Sequence, residues 1–600
     1  IYNRSKTIVL AGFRDLFSYT VPETVRQIED GAFEGSPKLI EIYNCSPLPV
    51  AAGDRGYGSV ALVAKNVYTP ASGESRLAER DGYVFYDDDG EYLLVGYVGT
   101  DTRLVLPKDI DGRKYSVYEY AFSGLSGIES VFVSDGAASL GERSFAYCVN
   151  LKEFTIGDGI TEIPSRLLTG CDNLESISLG RDVKTLNREC FSLLPKLESI
   201  YYNCVACDDL DDWGSDAFRG SGNSSAGIVL TIGKDAEYIP ANLFNWESSS
   251  FSKRVNLVEV IFEEGSKCTE IGPRAFYYAY LTSITLPESL EKIGEDAFYG
   301  CTMLSEVYNY SSLPIAAGDS GNGFVGYYAR NVYTGPEESR LETTADGYVF
   351  YRDEEGGYCL IAYRGESTDL VLPGDIRGQN YRIDSYAFFK SNLRSVVIPD
   401  GVTAIGDYAF SESEDLRSIT IGGGVKSIGV RVLSECESLE SIVVAETNKV
   451  YGGAGNCLTE KATKTLIAGC RTSVIPTDGS VTAIKENAFY GCTLTHIVIP
   501  ASVGSIGTDA FMLCRELESI VVEEGNPVYF SSGNCVIAKA DGVLVLGCAA
   551  SVIPTDGSVK AIGAYAFQGQ TGMREIIIPK SVTKIGNGAF WLCNLTVYFE

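Results

Sequence analysis

The side chains best suited to nucleophilic, redox or metal chemistry in this chain are seventeen cysteines and a single histidine, His496. Cys204-x-x-Cys207 has the spacing of half a zinc site or of a dithiol redox pair. A structural zinc ion needs a second ligand pair nearby, and no histidine accompanies this one. A thioredoxin-like pair opens a helix, whereas this pair follows the strand-like run Leu197–Tyr202. Any Ser-His-Asp or Cys-His arrangement would have to use His496. That residue stands where Ser283, Ser395, Ser418 and Ser441 stand in related segments, at a solvent-facing strand position, so it reads as incidental. Carboxylates are plentiful, but no spacing singles out an acid–base pair. The turns Asp87-Asp88-Asp89-Gly90 and Asp353-Glu354-Glu355-Gly356 lack the alternating ligands and closing Glu of a calcium loop. The glycine-rich runs lack a phosphate-binding context. The expectation is no enzyme, with no catalytic residue, no cofactor and no metal site.

The elements that position these residues are repeats. LTSITLPESLEKIGEDAFYGCTML (281–304) recurs as LRSVVIPDGVTAIGDYAF (393–410), LRSITIGGGVKSIGVRVL (416–433) and REIIIPKSVTKIGNGAF (574–590). An Ala-Phe step marks each unit at Phe122, Phe298, Phe388, Phe410, Phe489, Phe511, Phe567 and Phe590. Degenerate markers are Phe145, Leu168, Phe191, Phe244 and Leu433. The period near 23, seen from Phe122 to Phe145, Leu168 and Phe191, lies in the leucine-rich-repeat range. Leu281-x-x-Ile284-x-Leu286 supplies the inward residues of one strand, and Pro287 ends it for want of an N–H. Ile293-Gly294 makes a second apolar turn, and Phe298 plugs the core. One coil has almost no interior, so stacking must bury each against the next. The expected fold is an α/β-type repeat solenoid, a right-handed superhelix with a parallel sheet on one face. Irregular or short-helical turns are expected on the other face. One continuous solenoid is expected over 1–600, truncated at both ends.

Within that frame the cysteines acquire a structural reading. Cys148, Cys171, Cys301, Cys436, Cys492, Cys514 and Cys593 each follow a marker by three residues, so they should stack as a ladder of small buried groups. Two families of duplicated hairpin inserts interrupt the period. Residues 48–121 and 313–387 are Tyr-rich near duplicates, with hairpins expected at 82–99 and 347–365. Residues 445–484 and 523–562 form the second family, with Asp541-Gly542 at a hairpin loop and KTIVLAGFRD (6–15) resembling its second half. Cys457 and Cys470, like Cys535 and Cys548, fall opposite one another there. A cross-strand disulfide or a pair of buried thiols would each fit.

The I-G-x-x-A-F-x-G-C units, P-T-D-G-S-V segments and N-V-Y-T inserts together resemble the BspA-like leucine-rich-repeat family over essentially the whole chain. That resemblance implies a bacterial cell-surface or secreted location and a role in adhesion to host matrix or neighbouring cells. It carries over no binding residue, because the motif residues are packing residues. The expected function is a non-catalytic binding module for a protein or glycan on a host or neighbouring cell. An architectural spacer for other domains is the alternative.

Charge narrows the partner. With 49 basic against 79 acidic residues, net −30, the surface would repel a polyanion, which argues against nucleic acid. No apolar run is long enough to span a membrane, and the chain is expected to be monomeric. A ligand would meet the solvent-facing strand rows. Their aromatic or acidic departures are Glu41, Tyr43, Phe132, Glu153, Tyr201, Glu259, Glu306 and Tyr308. Exposed Val and Ile in the same rows read as strand propensity alone.

Overall fold

Each 23-residue unit closes as one flattened coil with three hydrogen-bonded edges. The computed structural model describes residues 1–12, 15–69, 73–211, 216–223, 226–245 and 255–600. Phe13 and Arg14 of the opening segment, and Pro70 of the first insert, lie outside them. The described residues gather into two compact units, one up to Glu337 and the other from Glu338 to Glu600. Each unit is a stack of such coils. Among the described residues no helix is long and apolar enough to cross a membrane.

The first edge is the expected parallel sheet. In Ser283–Leu286, Ile284 and Leu286 are buried while Thr285 is exposed, as the pleat requires of alternating residues. The longest such sheet, in the first unit, joins seven strands from Arg103–Val105 to Leu257–Phe262 in parallel. Its counterpart in the second unit joins Asp369–Val371, Ser395–Ile398, Ser418–Ile421 and Ser441–Val444.

The second edge corrects the expected short-helical turns and the α/β class. The Ile-Gly steps form two-residue strands that pair in parallel from coil to coil, as in Tyr238–Ile239, Glu270–Ile271 and Lys292–Ile293. No α-helix occurs among the described residues, only short 3₁₀ turns such as Asp216–Phe218. The chain is a β-solenoid.

The third edge, around the Phe marker, explains why helix is excluded. Residues two before and two after the marker are left-handed, as at Arg274 and Tyr278 around Phe276 (φ 53° and 59°). No helix tolerates that alternation. The N–H groups of Arg274, Phe276 and Tyr278 instead donate to the carbonyls of Glu295, Ala297 and Tyr299 in the next coil, at 3.0, 2.9 and 2.8 Å. The same pattern runs from Tyr386, Phe388 and Lys390 to Asp407, Ala409 and Ser411. Inside this ribbon the markers stack: Phe122 on Phe145 at 4.7 Å and Phe388 on Phe410 at 5.0 Å, each within 2° of parallel. Phe218 and Phe276, which the repeat reading passed over, join the same column beside Phe191, Phe244 and Phe298.

The marker's own carbonyl points inward, and the cysteine ladder serves it. The thiols of Cys148, Cys171, Cys301, Cys436, Cys514 and Cys593 donate to the carbonyls of Phe122, Phe145, Phe276, Phe410, Phe489 and Phe567 one coil earlier, at 2.9–3.2 Å. Ser221 and Ser413 do the same for Phe191 and Phe388, at 2.8 and 2.9 Å. These cysteines are therefore donors as well as small apolar fillers. All seventeen are free thiols, including Cys457, Cys470, Cys535 and Cys548.

The hairpins are spliced into the coils. Leu77–Arg80, Tyr83–Asp88 and Glu91–Tyr97 form an antiparallel meander, and its last strand then pairs in parallel with Tyr115–Val117 of the second edge. Tyr348–Arg352 and Tyr358–Tyr363 repeat the arrangement in the second unit. Cys535–Ala538 and Val543–Leu546 form the later hairpin around a loop at 539–542, longer than the two-residue turn that Asp541-Gly542 suggests. Each such hairpin crosses a marker ring closely. A Cβ on Gly469 or Gly547 would lie 2.0 Å from the ring of Phe489 or Phe567.

Candidate ligand-binding face

The outer face of the seven-stranded sheet carries two solvent rows. The first runs Arg103, Ser130, Glu153, Ser176, Ser199, Val229, Glu259. The second runs Val105, Phe132, Thr155, Ser178, Tyr201, Thr231, Ile261. Four of the eight expected residues are thus placed. Phe132 is exposed and lies in register beside the more exposed Val105. Glu153 and Glu259 are exposed in the first row. Tyr201 is half-buried and donates its hydroxyl to Glu263 at 3.2 Å. Burial, and then the Glu263 carboxylate, lifts its phenol above the ordinary range.

Glu41 and Glu306 correct the expectation of solvent exposure. Both are fully buried. The N-V-Y segment of the insert, Asn66–Tyr68, adds a parallel strand beside Glu41–Asn44. The chain then returns over the face. Glu41 accepts from the Ser75 hydroxyl at 2.8 Å, the Arg76 N–H at 2.7 Å and the Tyr43 hydroxyl at 3.1 Å. Tyr68 stacks on Tyr43 at 5.0 Å. Glu306 accepts from Tyr308 and Tyr333 at 3.1 and 3.4 Å, and those rings lie 5.0 Å apart. Tyr43 and Tyr308 are half-buried under these partners. At Glu41 and Glu306 the acidic residue thus ties down an insert, because a buried carboxylate needs several donors.

The remaining chemical candidates resolve into structure. Cys204 and Cys207 are buried, and burial pushes the Cys207 thiol up to about 12, the reverse of what a reactive thiolate needs. His496 is exposed and pairs in register with Ser519. Asp87 accepts from the N–H of Gly90 at 2.7 Å, and Asp88 and Asp89 pair with Lys65 and Arg76 at 3.0 and 2.8 Å. Asp353 likewise accepts from the N–H of Gly357 at 2.7 Å. Among the described residues no three His, Cys, Asp or Glu side chains are grouped to hold a metal ion.

The second unit adds a row that strand propensity alone left unremarked. Val371, Val397 and Val443 are exposed along one sheet, with Thr420 between the last two. Val371 reaches 70% exposure, the full cost of an unburied valine.

Stacked coils with a parallel outer sheet and an inward L-x-x-L-x-L pattern define a leucine-rich-repeat β-solenoid. The chain belongs to the family described as BspA type leucine-rich repeat region, which matches residues 105–227, 231–316, 375–455, 464–533 and 547–599. Among solved structures it is similar to a leucine-rich cell-surface protein of Faecalibacterium prausnitzii, at 21% identity over 76% of this chain and 96% of that one, TM-score 0.26. It is similar also to a leucine-rich repeat protein of Bacteroides ovatus, at 18% identity over 87% and 92%, TM-score 0.23. Pneumococcal vaccine antigen PcpA is a further match, at 14% identity over 88% and 100%, TM-score 0.19. No curated relative matches the chain.

Proposed function

We propose that this chain is a non-catalytic binding module of a cell-surface or secreted bacterial protein, recognising a protein or glycan through its outer strand face. The observation that carries the reading is the in-register row of the seven-stranded sheet. Val105 and Phe132 stand at one end and Ile261 at the other, with Thr155, Ser178 and Thr231 as small polar spacers. Exposed rings and branched side chains on a rigid sheet give contact area at low entropic cost. Glu153, Tyr201 and Glu259 add polar contacts to that face. Family membership supports the surface role, since the BspA-like resemblance implies adhesion. The net charge of −30 favours a neutral or basic partner.

Binding of the folded chain to immobilised matrix proteins and to a glycan array tests the proposal. Saturable binding to at least one, weakened by Phe132→Ser with Val105→Ser, is the expected result. A folded chain that binds none of them returns the module to a spacer role, which coils hydrogen-bonded on three edges would serve equally well.

A further inference from the structure

The second unit contains the same cleft twice, and the two copies differ in their polar lining. Segment 428–492 recurs as 506–570, and in each a hairpin parts two successive coils at the marker edge. The first cleft, of about 290 Å³, lies between Gly429–Val432 and Lys485–Asn487 with Ile467 of the hairpin at its side. The second, of about 230 Å³, lies between Ile506–Met512 and Gly563–Gln570 with Val545 and Leu546 in the same place.

In the first copy the polar residues satisfy one another. Arg431 lays its guanidinium 4.4 Å from the centre of the Tyr490 ring and donates to Asn487 at 2.9 Å. Cys492 takes the usual ladder position. In the second copy Arg431, Asn487, Tyr490 and Cys492 become Asp509, Tyr565, Gln568 and Gln570. Asp509 Oδ1, Gln568 Oε1 and Gln570 Oε1 are buried and have no hydrogen-bond partner. Gln568 and Gln570 are only 4% and 1% exposed. Buried polar atoms are rarely left unpaired, and three around one cleft are a site shaped for donors.

We propose that this second cleft is a binding site for a hydroxyl-rich small ligand, a single sugar ring. This site is separate from the strand face and does not rest on the adhesion reading. The chemistry follows from the lining. The orphan atoms are all acceptors, so the ligand must bring donors. Two of the three groups are neutral carboxamides, which also donate, and a hydroxyl is the group that can give and take at once. An ammonium ligand would call for paired carboxylates, and the cleft offers one. Ile506, Val545 and Leu546 supply apolar wall for the C–H face of a ring. A volume of about 230 Å³ admits one ring rather than a longer chain.

The experiment is saturation-transfer NMR and calorimetry on the full chain. The probes are methyl glycosides of glucose, galactose, mannose, fucose, N-acetylglucosamine and N-acetylgalactosamine, with n-butylammonium as the cationic comparison. At least one glycoside binds, and Asp509→Arg with Tyr565→Asn, Gln568→Tyr and Gln570→Cys, which installs the residues of the self-satisfied copy, weakens it at least tenfold. Gln570→Met alone, should the quadruple variant not fold, weakens binding while leaving the unfolding temperature unchanged or raised, because it removes an orphan acceptor at constant volume. Absence of binding by every glycoside overturns the proposal. So does tighter binding of n-butylammonium than of any glycoside, or glycoside binding that survives the substitutions.

Discussion

Replacing Cys301 by alanine and by serine separates a donor role in the ladder from simple filling of space. Cys301 is fully buried, and its thiol donates to the Phe276 carbonyl at 3.2 Å. Burial pushes the thiol up to about 12, so it stays protonated and able to donate at neutral pH. Alanine removes one of two donors to that carbonyl, which keeps the Ala279 N–H at 3.0 Å, a loss of about 0.5–1.5 kcal/mol. It also opens a void of roughly one sulfur atom, worth about 0.5 kcal/mol at ~24 cal/mol per Å³. The expected loss is about 1.5 kcal/mol. Serine keeps an O–H donor at the position where Ser221 and Ser413 already make the bond, so its loss should stay under about 1 kcal/mol. Because long repeat arrays need not unfold in one step, the readout is hydrogen exchange of residues 276–304 alongside urea unfolding. Serine as damaging as alanine would refute the donor role.

Other consequences are equally direct. Gly300 is left-handed (φ 76°), and a Cβ there would sit 2.4 Å from the Tyr278 ring; Gly300→Ala should cost about 2–4 kcal/mol in thermal or urea unfolding, and Tyr278→Ala should recover part of it. Glu41→Ala removes the acceptor of Ser75, Arg76 and Tyr43, and should raise hydrogen exchange in Ser75–Arg80 by about 2–3 kcal/mol of local opening while leaving distant coils unchanged. Burial, and then Glu412, raises Glu435 from 4.5 to about 7. Its protonated form is favoured in the folded chain, so stability is present below about pH 4.5 and is lost as pH rises toward 7. The slope allows up to about 3 kcal/mol, cut to about 1–2 by partial solvent screening. Glu435→Gln should flatten that pH dependence in urea titrations. Thiol labelling of the native chain should modify the partly exposed Cys45 and Cys593 first and the buried ladder only after unfolding.

The inward strand pattern and the Phe column were legible because period-2 burial and a fixed 23-residue period leave a direct mark on residue type. The turn edge was not. Its left-handed positions are held by Arg274, Tyr278 and Tyr408 as readily as by Gly300, so no glycine pattern announces them. Irregular or short-helical turns are therefore expected from the sequence where a third ladder stands. Glu41 and Glu306 misled for a related reason. They occupy true outer-row positions, and only the return of the insert over them buries the carboxylates. Asp509, Gln568 and Gln570 left a signal in the duplication itself, as departures from Arg431, Tyr490 and Cys492. That signal gains chemical meaning only once the cleft brings the three together. Phe132, Glu153 and Glu259 stay exposed, as their row positions imply, because no insert covers their strands.

The strand-face reading rests on Val105 and Phe132 more than on any other pair. Surface plasmon resonance of the full chain on the best matrix protein or glycan from the array, compared with a Val105→Ser, Phe132→Ser double variant of unchanged stability, tests it most directly. At least tenfold weaker binding of the variant, through faster dissociation, is the expected result. Equal affinity in the two proteins would contradict it.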